Sequence, residues 1–463
     1  MTTGTQSHIP PHNPSHKRRI AALAWPILIG QLAVIANSVL DTVMTSRYSA
    51  TDLAALALGG SIYISVFLGL NGVLQALSPI IGQLYGAHDF DAIGKEAKQG
   101  IWLALFLSCI GCAVLIFPQA LLSLAHASPE LTAKATLYLR TLAFALPATL
   151  AFTIYGALNN AIGRPKMVMV LQVMALLLKI PLNAWFIFGG FSLPAFGGPG
   201  SAIATALIAW LMLLLAWGIM RTVPFYRNLK LFGSGFVAPQ WPAQRALLRL
   251  GIPMGLSYFI EVTSFAFMAL FIARLGDTVV AGHQIVANFG AVLYMVPLSI
   301  AIATGVLVAQ AIGAHDQPAA RKVGSAGIRL AMAVSGTLGI LIWLGRDLIV
   351  RAYTPDPAVI ASALPLFLYI GFYQLFDALQ TTAAFILRAY RVAIIPTVMN
   401  SIALWGVGLG GGYVLGLDPF QLAPAAVRGA AGFWLSNSLS LVLLAAGLLW
   451  YLRWVQRSAQ VRQ

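Results

Sequence analysis

Long apolar stretches alternate with short polar loops along almost the whole chain. A helix that crosses the hydrocarbon core of a bilayer needs about 20 mostly apolar residues. Twelve stretches of that length begin near Ile20, Ala54, Ala97, Thr132, Met167, Ser201, Leu247, Val279, Ser325, Val359, Val392 and Ala430. The ten-residue segments of alternating polar and apolar residues that are typical of outer-membrane barrels do not occur in the sequence. The pattern therefore predicts an all-α integral membrane protein with twelve transmembrane helices.

The composition supports this prediction. Of the 463 residues, 59% are hydrophobic and 9% are charged, and the mean hydropathy is +0.84. Soluble domains contain about 25% charged residues on average, so a soluble protein is excluded.

The positively charged residues of the chain are concentrated at its two ends and in alternate loops, which lie on one side of the membrane. The net charge is +15, and 20 of the 28 Lys and Arg residues lie at the two ends and in the loops that join spans 2–3, 4–5, 6–7, 8–9 and 10–11. Because cytoplasmic loops carry an excess of Lys and Arg, both termini are predicted to be cytoplasmic. The excess charge also attracts anionic lipid headgroups, and no nucleic-acid partner is predicted.

An internal repeat divides the chain into two halves. The sequence GQLYGAHDF at 82–90 recurs as AQAIGAHDQ at 309–317, with an offset of 227 residues. The same offset pairs Pro26 with Pro253, Arg47 with Arg274, Lys95 with Lys322, Arg164 with Arg391, and Gly189 with Gly416. Each half contains six spans and has the same orientation, so we expect two lobes related by a pseudo-twofold axis along the membrane normal. The predicted division is a disordered cytoplasmic tail at 1–16, an N-terminal lobe at 17–222, a cytoplasmic linker at 223–244, a C-terminal lobe at 245–455 and a cytoplasmic tail at 456–463.

The two GAHD loops are predicted to be cytoplasmic joints between helices. Gly86 and Gly313 would each end a helix in a left-handed turn, and Asp89 and Asp316 would each cap the next helix. The histidines between them lack a nearby nucleophile or metal-ligand spacing. We therefore interpret these loops as structural gates rather than enzymatic dyads.

Two acidic residues of the C-terminal half lie at similar depth within predicted spans. Glu261 is near the middle of span 7, and Asp377 is about ten residues from the cytoplasmic end of span 10. Tyr373 and Gln380 share the helix face of Asp377. Two carboxylates in one dry pocket resist double ionisation, so one takes up a proton or the pair binds a cation such as Na⁺. This arrangement predicts a cation-coupling site.

The N-terminal half carries one acidic and one basic residue within its predicted spans. Asp41 lies in span 1, and Lys179 lies 13 residues into span 5, too deep to reach water easily. An acidic partner is the least costly way to bury the lysine. Asn183 lies one turn beyond Lys179 and shares its face. We therefore hypothesise an Asp41–Lys179 pair beside Asn183.

Aromatic residues are abundant in the C-terminal half, and most of them are expected to face lipid or the protein core. Those that face a cleft between the lobes, with Phe265 as the candidate, would suit planar or lipophilic cations through cation–π contacts.

With duplicated halves of six spans and these membrane acids, the chain resembles the multidrug and toxic compound extrusion (MATE) family, and its NorM-like branch in particular. The resemblance covers about residues 20–450. It is carried by the order and spacing of LDTVMTSR at 40–47, GQLYGA at 82–87, GRP at 163–165, IPLN at 180–183, GIPMGLSYFIE at 251–261 and FYQLFDALQ at 372–380.

The resemblance implies an inner-membrane exporter with V-shaped lobes that exchanges Na⁺ or H⁺ for lipophilic organic cations and drugs. It implies a functional monomer without a cofactor. Glu261, Asp377 and Tyr373 would form the cation-coupling cluster, which Na⁺ or H⁺ would occupy. The remaining implied contacts with substrate are the N-lobe acid Asp41, the drug contacts Ser61 and Gln284, and the outer-loop contact Asp356.

Lys179 departs from the family pattern. NorM-like sequences typically carry Asn at this position, four residues before the Asn of IPLN. A fixed positive charge would compete with Na⁺ or H⁺ in the N-terminal lobe. We therefore assign coupling to the C-terminal lobe.

Three alternatives to a drug exporter remain at this point. A lipid-linked oligosaccharide flippase of the related superfamily would carry anionic cargo and should favour a basic cleft. An integral-membrane enzyme would need clustered nucleophiles, bases or metal ligands at a membrane face. A structural scaffold would not need paired acids at mid-membrane depth.

Overall fold

The computed structural model describes residues 15–123, 128–190, 194–231, 235, 237–421, 424 and 427–461. The predicted N-terminal tail, up to residue 14, lies outside these ranges. The α-helices are α1 (His16–Tyr48), α2 (Ala50–Leu74), α3 (Leu77–Gly86), α4 (Phe90–Ile116), α5 (Gln119–Ser123), α6 (Pro129–Ala161), α7 (Pro165–Phe188), α8 (Gly198–Thr222), α9 (Pro224–Arg227), α10 (Trp241–Ile272), α11 (Asp277–Gly313), α12 (Gln317–Tyr353), α13 (Pro357–Ala363), α14 (Leu366–Ala389), α15 (Ile394–Ser401), α16 (Gly411–Leu417) and α17 (Ala430–Val461). A 3₁₀ turn (Ala273–Leu275) follows α10, and a π-helix (Ile402–Gly410) joins α15 to α16.

The described residues form 12 helical segments that are long and apolar enough to cross a membrane, which confirms the predicted number of spans. Four of these segments combine elements: α2 with α3, α10 with the 3₁₀ turn, α13 with α14, and α15 with the π-helix and α16. The described residues contain no β-strand.

Helix ends extend somewhat beyond the predicted lobe boundaries. The first helix begins at His16, where the Ser15 hydroxyl accepts a hydrogen bond from the Arg18 amide at 3.4 Å. Helix α10 begins at Trp241, inside the predicted linker, and α17 continues to Val461, beyond the predicted start of the C-terminal tail.

Each half packs around a central helix, α6 in the N-terminal half and α14 in the C-terminal half. Helix α6 contacts α2, α4 and α8, and α14 contacts α11, α12 and α17. The two largest apolar cores follow this division, except for the first helix of each half. Ile20 and Ile27 of α1 lie in the core of the C-terminal half, and Leu247 and Met254 of α10 lie in the core of the N-terminal half. The offset of 227 residues pairs Ile20 with Leu247 and Ile27 with Met254, so the two halves exchange equivalent helix ends.

Glycines allow α2 and α10 to approach each other at backbone distance. A Cβ atom added at Gly72 would lie 2.5 Å from the Cα of Gly255, and one at Gly251 would lie 2.3 Å from the carbonyl oxygen of Val73. Because real Cβ atoms essentially never come this close to backbone, only glycine fits. The two halves are therefore in direct backbone contact here.

The π-helix distinguishes the two halves. It contains Gly406, Gly408 and Gly410. The repeat offset places it opposite residues 175–183, which are ordinary α-helix in α7 and include Lys179. Short π-helical segments are rare and occur frequently at functional sites.

The GAHD loops fold as predicted in one respect and differently in another. Asp89 and Asp316 cap α4 and α12 by accepting from the amides of Ala92 at 3.1 Å and Ala319 at 2.8 Å. The prediction that the glycines form left-handed turns was wrong. The left-handed residues are His88 (φ 58°) and His315 (φ 57°). As described below, the glycines are needed for close contact between the halves.

Candidate functional site

Glu261 and Asp377 lie in neighbouring parts of the C-terminal half. Glu261 comes from α10 and Asp377 from α14. Phe265, one turn beyond Glu261, and Tyr373, one turn before Asp377, are in contact with 6.0 Å between their ring centroids, so the two helices meet near these acids. The Asp377 side chain is buried, whereas Glu261 is partly accessible and lines a cavity of about 30 Å³. A cavity of this size accommodates one or two species the size of water, so it suits a small ion and not a drug.

Neutral side chains orient Asp377. The amide nitrogen Nε2 of Gln380 donates to the Asp377 Oδ1 at 2.9 Å and to the hydroxyl of Thr381 at 3.0 Å. Tyr373, one turn away on α14, is buried with its ring against Phe265 (6.0 Å between centroids) and Trp434 (5.9 Å). The structure thus gathers Glu261, Asp377, Tyr373 and Phe265 in one region.

The cavity contains a residue that sequence reasoning missed. Arg388 lines it together with Tyr258, Glu261 and Gln380. Arg388 is 11 residues after Asp377, which is three helical turns, so the spacing on α14 already places the two on one face. The contact between Arg388 and Tyr258 joins α14 to α10. Because these helices are far apart in the sequence, no local pattern indicates this contact.

The polar lining of this cavity combines the Glu261 carboxylate with hydroxyl and amide side chains and one guanidinium group. The described residues contain no group of three or more His, Cys, Asp or Glu side chains that could hold a metal ion.

In the N-terminal half, the structure places Asp41, Lys179 and Asn183 side by side. The Lys179 Nζ lies 3.0 Å from the Asp41 Oδ1, and the Asn183 Nδ2 donates to the same oxygen at 2.7 Å. The Lys179 ammonium also donates to the Thr205 hydroxyl and to the Ser201 carbonyl oxygen at 3.4 Å. The lysine side chain is only 3% exposed. The pair therefore satisfies both charges internally.

We expect Lys179→Asn to destabilise the protein, because it leaves Asp41 without its counter-ion. Breaking one partner of a buried ion pair commonly costs about 3 kcal/mol or more in the free energy of unfolding. Thermal unfolding of the purified protein in detergent would measure this loss. The double variant Asp41→Asn, Lys179→Asn should recover part of it.

The matched control for this prediction is Lys230→Asn. Lys230 pairs with Asp91 at 2.9 Å on the surface, with both side chains more than half exposed. Such pairs contribute little, so this variant should unfold like the wild type. A Lys179→Asn protein that keeps both wild-type stability and wild-type substrate affinity would contradict the role of the buried pair.

The other predicted contact residues are not brought together. Ser61 donates to the Ala57 carbonyl oxygen at 2.8 Å, and Gln284 donates to the Asn288 Oδ1 at 3.1 Å, so both are bonded within their own helices. Asp356 caps α13 by accepting from the Ala358 amide at 2.9 Å. All three residues are exposed.

A second ion pair escaped the sequence analysis. Asp52 is buried in the first turn of α2, and the Lys134 Nζ lies 2.7 Å from its Oδ1. The sequence offers only Ser49, a helix cap three residues earlier, as a local signal. Asp52 and Lys134 line an open groove with Tyr48 and Phe196, away from the coupling cavity.

The two halves are joined by a pair of glutamines that the repeat offset relates. The Gln83 Nε2 donates to the Ala389 carbonyl oxygen at 2.7 Å, and the Gln310 Nε2 donates to the Ala161 carbonyl oxygen at 2.7 Å. We call these two bonds the glutamine latch. Each donor precedes its GAHD loop, and each acceptor ends the fourth span of the other half, so the latch closes one end of the molecule.

Comparison with known proteins agrees with this architecture. A family model described as MatE matches residues 26–185 and 253–414, one match in each half. The chain is 42% identical to "Probable multidrug resistance protein NorM" of Aromatoleum aromaticum, over 94% of both chains. It is 38% identical to "Multidrug resistance protein PmpM" of Pseudomonas aeruginosa, over 89% of this chain and 86% of the relative.

A solved structure shares the fold. The "Outward-facing conformation of a multidrug resistance MATE family transporter of the MOP superfamily" superposes with a TM-score of 0.86 at 17% identity, covering 96% of this chain and 97% of that one. The family model covers well over half of this chain, and its relatives match nearly from end to end. The chain therefore belongs to the MatE family, the multidrug and toxic compound extrusion transporters.

Proposed function

We propose that this chain is a secondary active multidrug efflux antiporter that exports lipophilic organic cations in exchange for Na⁺ or H⁺. The family is one of transporters, so the chain is not an enzyme. The observation that carries the proposal is a cavity of ion size inside the C-terminal half, which is lined by Glu261 and by Gln380, whose side-chain amide donates to Asp377.

The carboxylate pair would act as the coupling site. Two adjacent carboxylates in a low-dielectric site repel each other when both are ionised, so the site gains strongly from binding one positive charge. Binding or releasing that charge changes the relative free energies of the lobe arrangements. Tyr373 and Gln380 keep the Asp377 carboxylate in place during this cycle, since both flank it on α14.

The glutamine latch supports alternating access by relative motion of the lobes. It joins the halves only at the end that carries the GAHD loops, which the charge distribution assigns to the cytoplasm. With the latch formed, the cytoplasmic end is closed. Export requires this end to open for drug loading, so the latch must break and re-form once in each cycle.

The chain is a multi-pass inner-membrane protein, as its twelve apolar helices and bacterial relatives indicate. We infer from the loop charges that both termini are cytoplasmic and that the basic loops contact anionic lipid headgroups. Each half completes the other's core, and this supports a functional monomer.

A lipid-linked oligosaccharide flippase remains the second candidate. Its anionic cargo would favour a basic interior. In the N-terminal half the buried lysine is paired with Asp41, and in the C-terminal half Glu261 and Arg388 line the cavity while Asp377 is a further buried acid. This balance favours cationic cargo.

Efflux from proteoliposomes tests the proposed function. With ethidium as the probe, we expect transport when an inward Na⁺ gradient or an inward H⁺ gradient is imposed, and none when both gradients are absent. The ion whose gradient supports transport is the coupling ion. Transport of a lipid-linked oligosaccharide with no ethidium movement under either gradient would replace this proposal with the flippase.

A further inference from the structure

Arg388 occupies the end of the coupling cavity nearest the glutamine latch. It lies in the last turn of α14, adjacent to Ala389, which accepts the latch bond from Gln83. It also lies on the helix face that carries Asp377 and Gln380. The cavity that begins at Glu261 therefore ends at a guanidinium group.

Aromatic groups hold this guanidinium, and no carboxylate does. The Arg388 Nη1 donates to the Tyr258 hydroxyl at 3.1 Å. The guanidinium carbon lies 4.5 Å from the centre of the Phe385 ring and 5.2 Å from that of Tyr258. Within the described part of the chain, none of the ion pairs includes Arg388. The carboxylate that shares the lining of this cavity with Arg388 is that of Glu261.

The remaining walls of the cavity add no further charge. Helix α11 contributes Tyr294, and α15 and α17 contribute uncharged side chains, among them Thr397, Asn400 and Leu448. The charged groups of the described lining are thus Glu261 and Arg388, with Asp377 beside them.

We propose that Arg388 is a tethered cation that balances the charge of Glu261 and Asp377 whenever the transported cation is absent. The inference rests on the antiport function proposed above. An arginine side chain is always charged, and its long stem lets the guanidinium move within the cavity. A cation that enters must compete with this charge, and a cation that leaves is replaced by it.

Such competition would make the exchange reversible. Two uncompensated carboxylates would hold a cation too tightly to release it. The nearby guanidinium weakens that binding and stabilises the empty site, so the cation can leave toward the cytoplasm. Arg388 would be a positioning residue for the ion step, and it would set the affinity of the site without touching the drug.

Chemical labelling of Glu261 tests this proposal without requiring transport. Dicyclohexylcarbodiimide reacts with protonated carboxyl groups in apolar sites, and mass spectrometry of the purified full-length protein quantifies the product. We expect Glu261 in Arg388→Gln to be labelled on the order of tenfold faster than in the wild type, because the nearby positive charge that favours the ionised form has been removed. The Glu261→Gln variant lacks the carboxyl group and therefore measures the background of labelling at other residues.

Two further variants separate charge from structure. Arg388→Lys keeps the charge and should be labelled at nearly the wild-type rate. Tyr258→Phe removes the hydroxyl that accepts from Arg388 and so frees the guanidinium to approach Glu261. Glu261 in this variant should therefore be labelled more slowly than in the wild type. A general loosening of the helices would instead accelerate labelling in all three variants.

Equal labelling of the wild type and Arg388→Gln would overturn the proposal, as would faster labelling of Tyr258→Phe. These results are independent of the efflux assay. If the wild type failed to export ethidium but the labelling changed as expected, the antiport function would be wrong while the charge relationship between Arg388 and Glu261 would stand.

Discussion

Replacing Glu261 with glutamine should abolish gradient-driven export of ethidium while leaving the protein folded. Glutamine has nearly the same shape but carries no charge, so the site can no longer exchange a cation. Asp377→Asn should have the same effect, since the remaining carboxylate would no longer be forced to share a charge. We expect transport rates on the order of 100-fold below the wild type, which corresponds to about 2.7 kcal/mol in the activation free energy of the transport cycle. Efflux from proteoliposomes under an imposed Na⁺ or H⁺ gradient measures this.

Asp277→Asn provides the control for these substitutions. Asp277 is an exposed acid in the first turn of α11, so its loss changes the net charge equally without touching the cavity. It should export ethidium at the wild-type rate. Export that persists in Glu261→Gln or Asp377→Asn would refute the assignment of coupling to this pair.

Adding a single methyl group at Gly86 should prevent the cytoplasmic end from closing. A Cβ atom at Gly86 would lie 1.9 Å from the Gln310 carbonyl oxygen, and one at Gly313 would lie 1.8 Å from that of Gln83. Both obstacles are backbone atoms of the opposite half, so no side chain can move aside. Gly86→Ala and Gly313→Ala should each force the halves apart and reduce ethidium export at least tenfold, since the closed state would be disfavoured by more than about 1.4 kcal/mol.

Distance measurements would detect this separation. Ala87 and Ala314 are exposed beside the two glycines, and spin labels there report the width of the cytoplasmic end once Cys109 and Cys112 are replaced by serine. We expect a longer distance in both variants. Gly218→Ala is the control, because a Cβ atom there meets nothing within 4 Å. An unchanged distance in Gly86→Ala would show that the halves do not depend on this contact.

The sequence predicts much of this fold because membrane helices leave strong local signals. The number of spans follows from the length of the apolar stretches. The division into two halves follows from the loop sequences that recur along the chain. The Asp41–Lys179 contact was predictable because a buried lysine must find an acid, and Asp41 was the one acid that lay within a predicted span of its half. Helical spacing added Asn183, which the structure places on the same carboxylate.

The features that the sequence did not reveal all depend on contacts between distant segments. The role of Gly86 was misjudged because a loop pattern cannot show that another backbone lies 1.9 Å from a missing side chain. From the sequence alone, Arg388 is an ordinary basic residue at the cytoplasmic end of a helix. In the structure, its contacts with Tyr258 and Phe385 hold it at the cavity. The sequence likewise suggests that Lys134 is a solvent-exposed residue near a loop, whereas the structure pairs it with the buried Asp52.

The Asp41–Lys179 pair also limits how many ions one transport cycle can use. Duplication supplied two halves, yet the offset of 227 places Val34 opposite Glu261, Leu150 opposite Asp377 and Met268 opposite Asp41, so the interior charges were not repeated. Because its acid is paired with the Lys179 ammonium group, we expect the first half to contribute no exchangeable charge. We expect a stoichiometry fixed by the second half alone, with one exchange site per polypeptide and a transported charge that does not change when Asp41 and Lys179 are removed together.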